Sequence, residues 1–186
     1  MTQFLPPDLY HTDAKYYRRW KKIPKGFYRI AAKAIVMNKE WKILLLREGR
    51  FADKKSELYR NDRWMFDLPG GWIDYGEYFR DGLIRELSEE IWLSSTEIIV
   101  WEQPLYVQTT ELDDRYYDDI VRNEFYPVCL FYYPVRLLHY DFQESPECSE
   151  FEWVHISEFK DYPIWSHSMW LVKIFDPIDF PESYIS

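Results

Sequence analysis

The sequence predicts a single α/β domain, and three observations carry that reading. Runs of apolar and β-branched residues at strand length recur along the chain. One of them leads through a glycine-marked turn into a stretch of helical character over residues 78–91. No internal repeat or low-complexity linker divides the 186 residues, a length that suits one domain with modest additions. With 47% apolar and 20% aromatic residues the chain has ample surface to bury in a core, which excludes an intrinsically disordered protein.

The elements follow in order. Residues 1–26 hold a basic cluster, Lys15, Arg18, Arg19, Lys21, Lys22 and Lys25, interleaved with Tyr16, Tyr17 and Trp20; they read as an N-terminal extension whose charges form a solvated helical face. Residues 27–37 and 41–46 are apolar runs flanking Asn38, Lys39 and Glu40, the pattern of a β-hairpin. Residues 48–63 are polar and highly charged, an insertion or loop. After residues 64–68 the stretch PGGWIDYGE turns the chain into the helix. Strands are expected over 97–106 and 124–138, separated by an acidic loop at 111–119, with a short strand at 151–156 and a closing helix at 168–175. The domain is expected to span 27–175, leaving 176–186 as a C-terminal tail.

Composition narrows the function. A net charge of −9 argues against general affinity for nucleic acid or an anionic membrane surface, because both need a positive field. No run of about 18 apolar residues exists, and residues 1–10 lack the charged-then-apolar pattern of a secretory signal, so the expected compartment is the cytoplasm. Two cysteines, Cys129 and Cys148, exclude a disulfide-dense scaffold and a four-cysteine zinc site. His11, His139, His155 and His167 show no ligand spacing to one another.

The chemistry concentrates in residues 71–93. On a helix Glu86, Glu89 and Glu90 stand at i, i+3 and i+4, so three carboxylates share one face. In a plain surface helix such like charges destabilise by a few tenths of a kcal/mol per pair, and a divalent cation among them reverses the sign. Arg85 can reach Glu77 or Glu89 and fix a carboxylate's direction.

Gly71, Glu77, Arg85, Glu86, Glu89, Glu90 and the apolar Leu93 stand at the spacing G-x5-E-x7-R-E-U-x-E-E-x-G-U, with U apolar, and this segment resembles the Nudix box. Leu68-Pro69-Gly70 resembles the family's lead-in, and Trp153-Val154 with Ser157-Glu158-Phe159 its last strand and turn. The resemblance implies a Nudix-type α/β/α sandwich with a mixed β-sheet, acting as a pyrophosphohydrolase on a nucleoside diphosphate linked to another moiety. It implies Mg2+ or Mn2+ held by Glu86, Glu89, Glu90 and the Gly70 carbonyl, with Glu77 and Arg85 bracing the loop of Gly71 against the helix. Family members differ in the general base. Glu144, Glu147 and Glu150 all lie before the last strand, and Glu150 ranks first because it adjoins that strand.

Two glycine positions bear on the box helix. The box's second glycine is replaced by Trp92, which is expected to pack as a core or interface residue. Gly82, inside the helix, is expected to mark close packing. Substrate contacts are expected from Tyr28, Trp72 and Tyr75 as stacking faces and from Arg47, Arg50 and Arg63 as phosphate clamps. Two other readings stay open: a non-catalytic Nudix-like binding module, and a prenyl diphosphate isomerase using Cys129 or Cys148. The partner expected is a nucleotide-type small molecule; a homodimer is left open.

Overall fold

The structure is a computed structural model that describes residues 28–48, 65–113, 125–143, 145, 148–176 and 179–185. The N-terminal basic cluster, the charged stretch after β2 and most of the acidic loop lie outside the described residues. Among the described residues, seven strands form two sheets. In the first, β6 (Phe125–Leu137) is central: β1 (Arg29–Val36) pairs with it in parallel, while β4 (Ile98–Val100) and β5 (Tyr106–Asp113) pair antiparallel along its other edge. In the second, β2 (Lys42–Glu48) lies between β3 (Phe66–Asp67) and β7 (Cys148–His155), all antiparallel. One long helix, α1 (Phe79–Ile91), follows the glycine turn, and two short helices, α2 (Ser166–Met169) and α3 (Leu171–Ile174), follow the last strand. Among the described residues no helix is long and apolar enough to cross a membrane.

Why β1 takes this place follows from its sequence, RIAAKAIV. Side chains alternate between sheet faces, and this run is apolar at odd and even positions alike, so it needs cover on both sides. Ala31 and Ile35 enter a core shared with Phe159, Leu171 and Phe180, while Ala32, Ala34 and Val36 enter a second core under Leu83, Leu87 and Ile91 of α1. β2 divides the same way, Ile43 and Leu45 to one core, Leu44 and Leu46 to the other. The expected hairpin is therefore corrected. Asn38 does turn the chain tightly, its side-chain oxygen accepting from the amides of Glu40 and Lys42. Yet the two strands meet only at the bridge Met37↔Ile43 and then diverge into different sheets, which gives each of these two-faced strands its cover.

Two further expectations differ from the structure. The strand expected over 97–106 is broken into β4 and β5 by a bend that contains Pro104. The break lies opposite Pro134 of β6, whose carbonyl accepts from the amide of Trp101. Because the nitrogen and carbonyl of one strand residue face the same edge, Pro134 lacks its donor on the side where pairing lapses. The closing helix is split at Trp170 into α2 and α3, although its apolar face is buried as expected: Leu171 is fully buried, and Trp170 stacks on Tyr132 with centroids 5.9 Å apart. Beyond it Phe180 is buried and Tyr184 packs on Trp101 at 4.8 Å.

Helix α1 lies where the sequence placed it. Leu83, Leu87 and Ile91 form its buried stripe at i, i+4 and i+8. Gly82 is a site of close approach: a Cβ there would stand 2.6 Å from Glu77 Oε2 and 2.7 Å from Ile73 Cδ1. Trp92 is not a core residue, which corrects that half of the expectation. It is 60% exposed and closes the helix with φ 57° and ψ 33°, so it takes the left-handed conformation of the glycine it replaces without packing into the core. The left-handed cap serves the backbone, and its direction carries the side chain into solvent. Trp92→Gly is therefore expected to relieve about 1 kcal/mol of strain and raise the melting temperature by roughly 2–4 °C. An unchanged or lower melting temperature in thermal denaturation would show that the indole makes contacts worth more than the strain.

Candidate active site

The site is assembled by the loop of residues 68–78 folding back over α1. The loop is pinned to β1, with the amide of Ala34 donating to Pro69 O at 2.8 Å, that of Ala32 to Gly71 O at 3.0 Å, and that of Ile73 to Ile30 O at 3.0 Å. Gly71 has no room for a side chain, because the Glu86 carboxylate occupies the space a Cβ would take.

Arg85 joins loop to helix. Its Nε and Nη2 donate to the two oxygens of Glu77 at 3.0 and 3.1 Å, a bidentate pair. Nη2 also donates to Trp72 O at 2.9 Å, and Nη1 to Glu86 at 2.8 Å and Glu89 at 3.2 Å. Burial works against the Arg85 charge, but its hydrogen bonds to Glu77 and Glu86 outweigh this and hold the guanidinium charged. Burial likewise opposes ionisation of Glu77, and the Arg85 and Asp74 hydrogen bonds reverse it, keeping the carboxyl below the usual range.

Two further glutamates of the box, Glu86 and Glu90, carry the opposite stress. Burial pushes the Glu86 carboxyl up against the pull of Arg85. Desolvation pushes the Glu90 carboxyl up to about 8; Lys33 and the Gly70 amide, which donates at 2.6 Å, oppose the shift, while Glu86 and Asp67 add to it. Burial and like-charged neighbours disfavour ionisation of these two carboxyls, so a cation brought among them would favour their charged form. Among the described residues, no three His, Cys, Asp or Glu side chains converge on one point. Glu86 and Glu89 turn toward Arg85, and Glu90 toward Gly70.

The structure thus brings together Gly70, Gly71, Trp72, Glu77, Arg85, Glu86, Glu89 and Glu90. Glu150 and Arg47 stand opposite one another in the β2 and β7 ladder and pair with each other, Arg47 Nη1 lying 2.9 Å from both Glu150 oxygens. Arg47 also lies over the Phe66 ring at 4.6 Å. Trp72 carries the Arg29 guanidinium on its ring at 3.6 Å, so one face of this expected platform is already covered. Tyr28 and Tyr75 are exposed at 53% and 61%. Arg50, Arg63, Glu144 and Glu147 lie outside the described residues.

Sequence reasoning missed Lys33 and Asp67. Lys33 is buried in the middle of β1, with Nζ 2.7 Å from Asp67 Oδ2, 2.5 Å from Gly70 O and 3.1 Å from Leu68 O. Asp67 also accepts from the fully buried Ser168 hydroxyl and from the Leu68 amide at 2.8 Å. The available signal was a lone ammonium at the centre of an apolar run, where a charge requires partners.

Comparison with known proteins places the architecture. No curated protein matches the chain in sequence. In fold it is similar to the MutT protein from Methanosarcina mazei Go1, at 21% identity over 79% of this chain and 91% of that one, TM-score 0.53. It is similar also to the E. coli dihydroneopterin triphosphate pyrophosphohydrolase, at 13% identity over 80% and 96%, TM-score 0.55. A C. elegans Ap4A hydrolase aligns at 18% identity over 78% and 93%, TM-score 0.52. At such identities the likeness is one of fold, the α/β/α sandwich expected. The NUDIX domain model matches residues 27–172, most of the chain. The chain belongs to the NUDIX domain family, the family of the Nudix hydrolases.

Proposed function

We propose that the protein hydrolyses a diphosphate linkage in a nucleoside diphosphate joined to another moiety, with Mg2+ or Mn2+ held by Glu86, Glu89, Glu90 and the Gly70 carbonyl. The observation that carries the reading is the carboxylate face of α1 set against the Gly70 loop by Arg85. The donor types fit the ion, since carboxylates and a backbone carbonyl suit a hard divalent cation; to share it Glu86 and Glu89 must turn from Arg85, and Glu90 is a carboxyl whose charge such a cation would stabilise. When bound, the cation supplies charge neutralisation on the phosphate oxygens and activation of water.

The chain's own residues do the rest. Glu77 and Arg85 hold the loop against the helix, so that the Gly70 carbonyl and the glutamates keep one mutual geometry. Glu150 is assigned the role of general base, and to take a proton its carboxylate must loosen its pairing with Arg47. Arg47, released, is a candidate clamp for a phosphate oxygen, the role also proposed from the sequence for Arg50 and Arg63. Tyr28, Tyr75 and the remaining face of Trp72 are proposed to receive the base and sugar. The neighbours in fold named for dihydroneopterin triphosphate and Ap4A support a nucleotide-like substrate.

A panel of nucleotide diphosphate derivatives assayed with Mg2+ tests the reading, with release of phosphate or nucleotide as the readout. Activity is expected to vanish on chelation. Glu89→Gln and Glu90→Gln are each expected to lower kcat by at least about 10²-fold with the fold retained, and Glu150→Gln by a similar factor through loss of the base. Full activity in the two box variants would refute the metal assignment, and full activity in Glu150→Gln would move the base elsewhere.

The raised Glu90 carboxyl sets a second expectation, for the protein in chelator. Its ordinary value is 4.5 and its folded value about 8, so between these the folded chain holds a proton that the unfolded chain releases. Stability from this group is therefore complete below about pH 4.5 and falls as pH rises toward 8. Urea midpoints at pH 5, 6.5 and 8 should decline for the wild-type chain and decline less for Glu90→Gln, which has no proton to lose. Parallel declines in the two proteins would show that Glu90 is not the group responsible.

A further inference from the structure

Both backbone groups of Gly70 are clamped by ionisable side chains from different elements. The amide donates to Glu90 of α1 at 2.6 Å, and the carbonyl accepts from Lys33 of β1 at 2.5 Å. The same ammonium reaches Asp67 at 2.7 Å and Leu68 O at 3.1 Å, which gives each of its three hydrogens an acceptor. Residues 67–70 are thus gathered around a single buried positive charge. The carbonyl at its closest contact is the one to which the proposed function gives a metal.

We infer that Lys33 is a built-in counter-cation of the box, which organises the Gly70 loop before a divalent cation binds and gives up the Gly70 carbonyl when one does. This inference rests on the metal reading above. A carbonyl oxygen has two lone pairs, so geometry alone lets it face both cations. Charge does not favour that: an ammonium and a divalent ion on one oxygen, in a poorly solvated place, repel strongly. The lysine stem has rotatable bonds, and Asp67 and Leu68 O give the ammonium partners to retreat to. Lys33 is accordingly a positioning residue that acts through Gly70, and its charge opposes metal binding in proportion to how closely the two cations approach.

The test compares wild type with Lys33→Met, a side chain of similar length without charge, by calorimetric titration with Mn2+ alone and by melting in chelator and in saturating Mn2+. Lys33→Met is expected to melt lower than wild type in chelator, to recover a larger increment on adding Mn2+, and to bind Mn2+ several-fold more tightly, since the ion then supplies the missing charge without displacing another. A purely structural lysine would lower both melting temperatures equally and leave Mn2+ affinity unchanged or weaker, which would overturn the inference.

Should Lys33→Met not fold in either condition, the wild-type chain still decides. With lysine 13Cε labelling, Mn2+ is expected to broaden the Lys33 signal selectively, and Mg2+ to shift it. Mn2+ binding seen by calorimetry with the Lys33 signal untouched would refute the inference alone. No Mn2+ effect of any kind on the wild-type chain would refute the metal reading, and this inference with it.

Discussion

The guanidinium of Arg85 ties together parts of the site that the backbone keeps apart. It grips Glu77 with two hydrogen bonds, takes the Trp72 carbonyl, and holds Glu86 and Glu89 on its remaining nitrogen. A planar fork can serve acceptors on a loop and on a helix at once, which an ammonium could not do with the same fixed angles. The neighbouring features follow from this grip. Glu77 must lie flat against α1, so Gly82 has no side chain; Glu86 must lie against the loop, so Gly71 has none. Residues that weaken a helix or a turn taken alone are here what allows charged groups to come together.

A second cation completes the arrangement from the opposite side. Arg85 serves the outer glutamates, while Lys33 serves the inner layer of Asp67 and the loop carbonyls, and Glu90 lies within reach of its field. The two cations differ as their surroundings require. The half-exposed one is delocalised and multiply bonded; the buried one is a compact point charge that can move along its stem.

The box was legible in the sequence because its chemistry depends on spacing along one helix, and a helix converts spacing directly into a shared face. The buried stripe of Leu83, Leu87 and Ile91 is a finding of the structure, and its i, i+4, i+8 spacing follows the same helical period. What the sequence hid depends on partners distant along the chain. Apolar runs such as β1 and β2 read alike whether they pair with each other or part into two sheets, and only burial on both faces decides it. Lys33 was concealed for the same reason, since its acceptors are brought to it by β3 and the loop that follows. Trp92 shows a different limit. The sequence marked the replaced glycine, but a left-handed cap fixes backbone direction first, and whether the indole meets protein or water is decided by that direction.

The pairing of β1 with β6 has a consequence for how the protein folds. The register joins Arg29 to Val128, about a hundred positions away, and it is parallel, so no local turn can begin it. The loop-closure entropy of bringing these segments together comes before any reward from the contact. The loop of residues 69–73 is hydrogen-bonded to β1, and the ammonium of Lys33 rides on the same strand. The crowding of the box carboxylates therefore depends on a long-range strand pairing and not on the helix alone, because the loop bonds and the ammonium that gather them are both carried on β1.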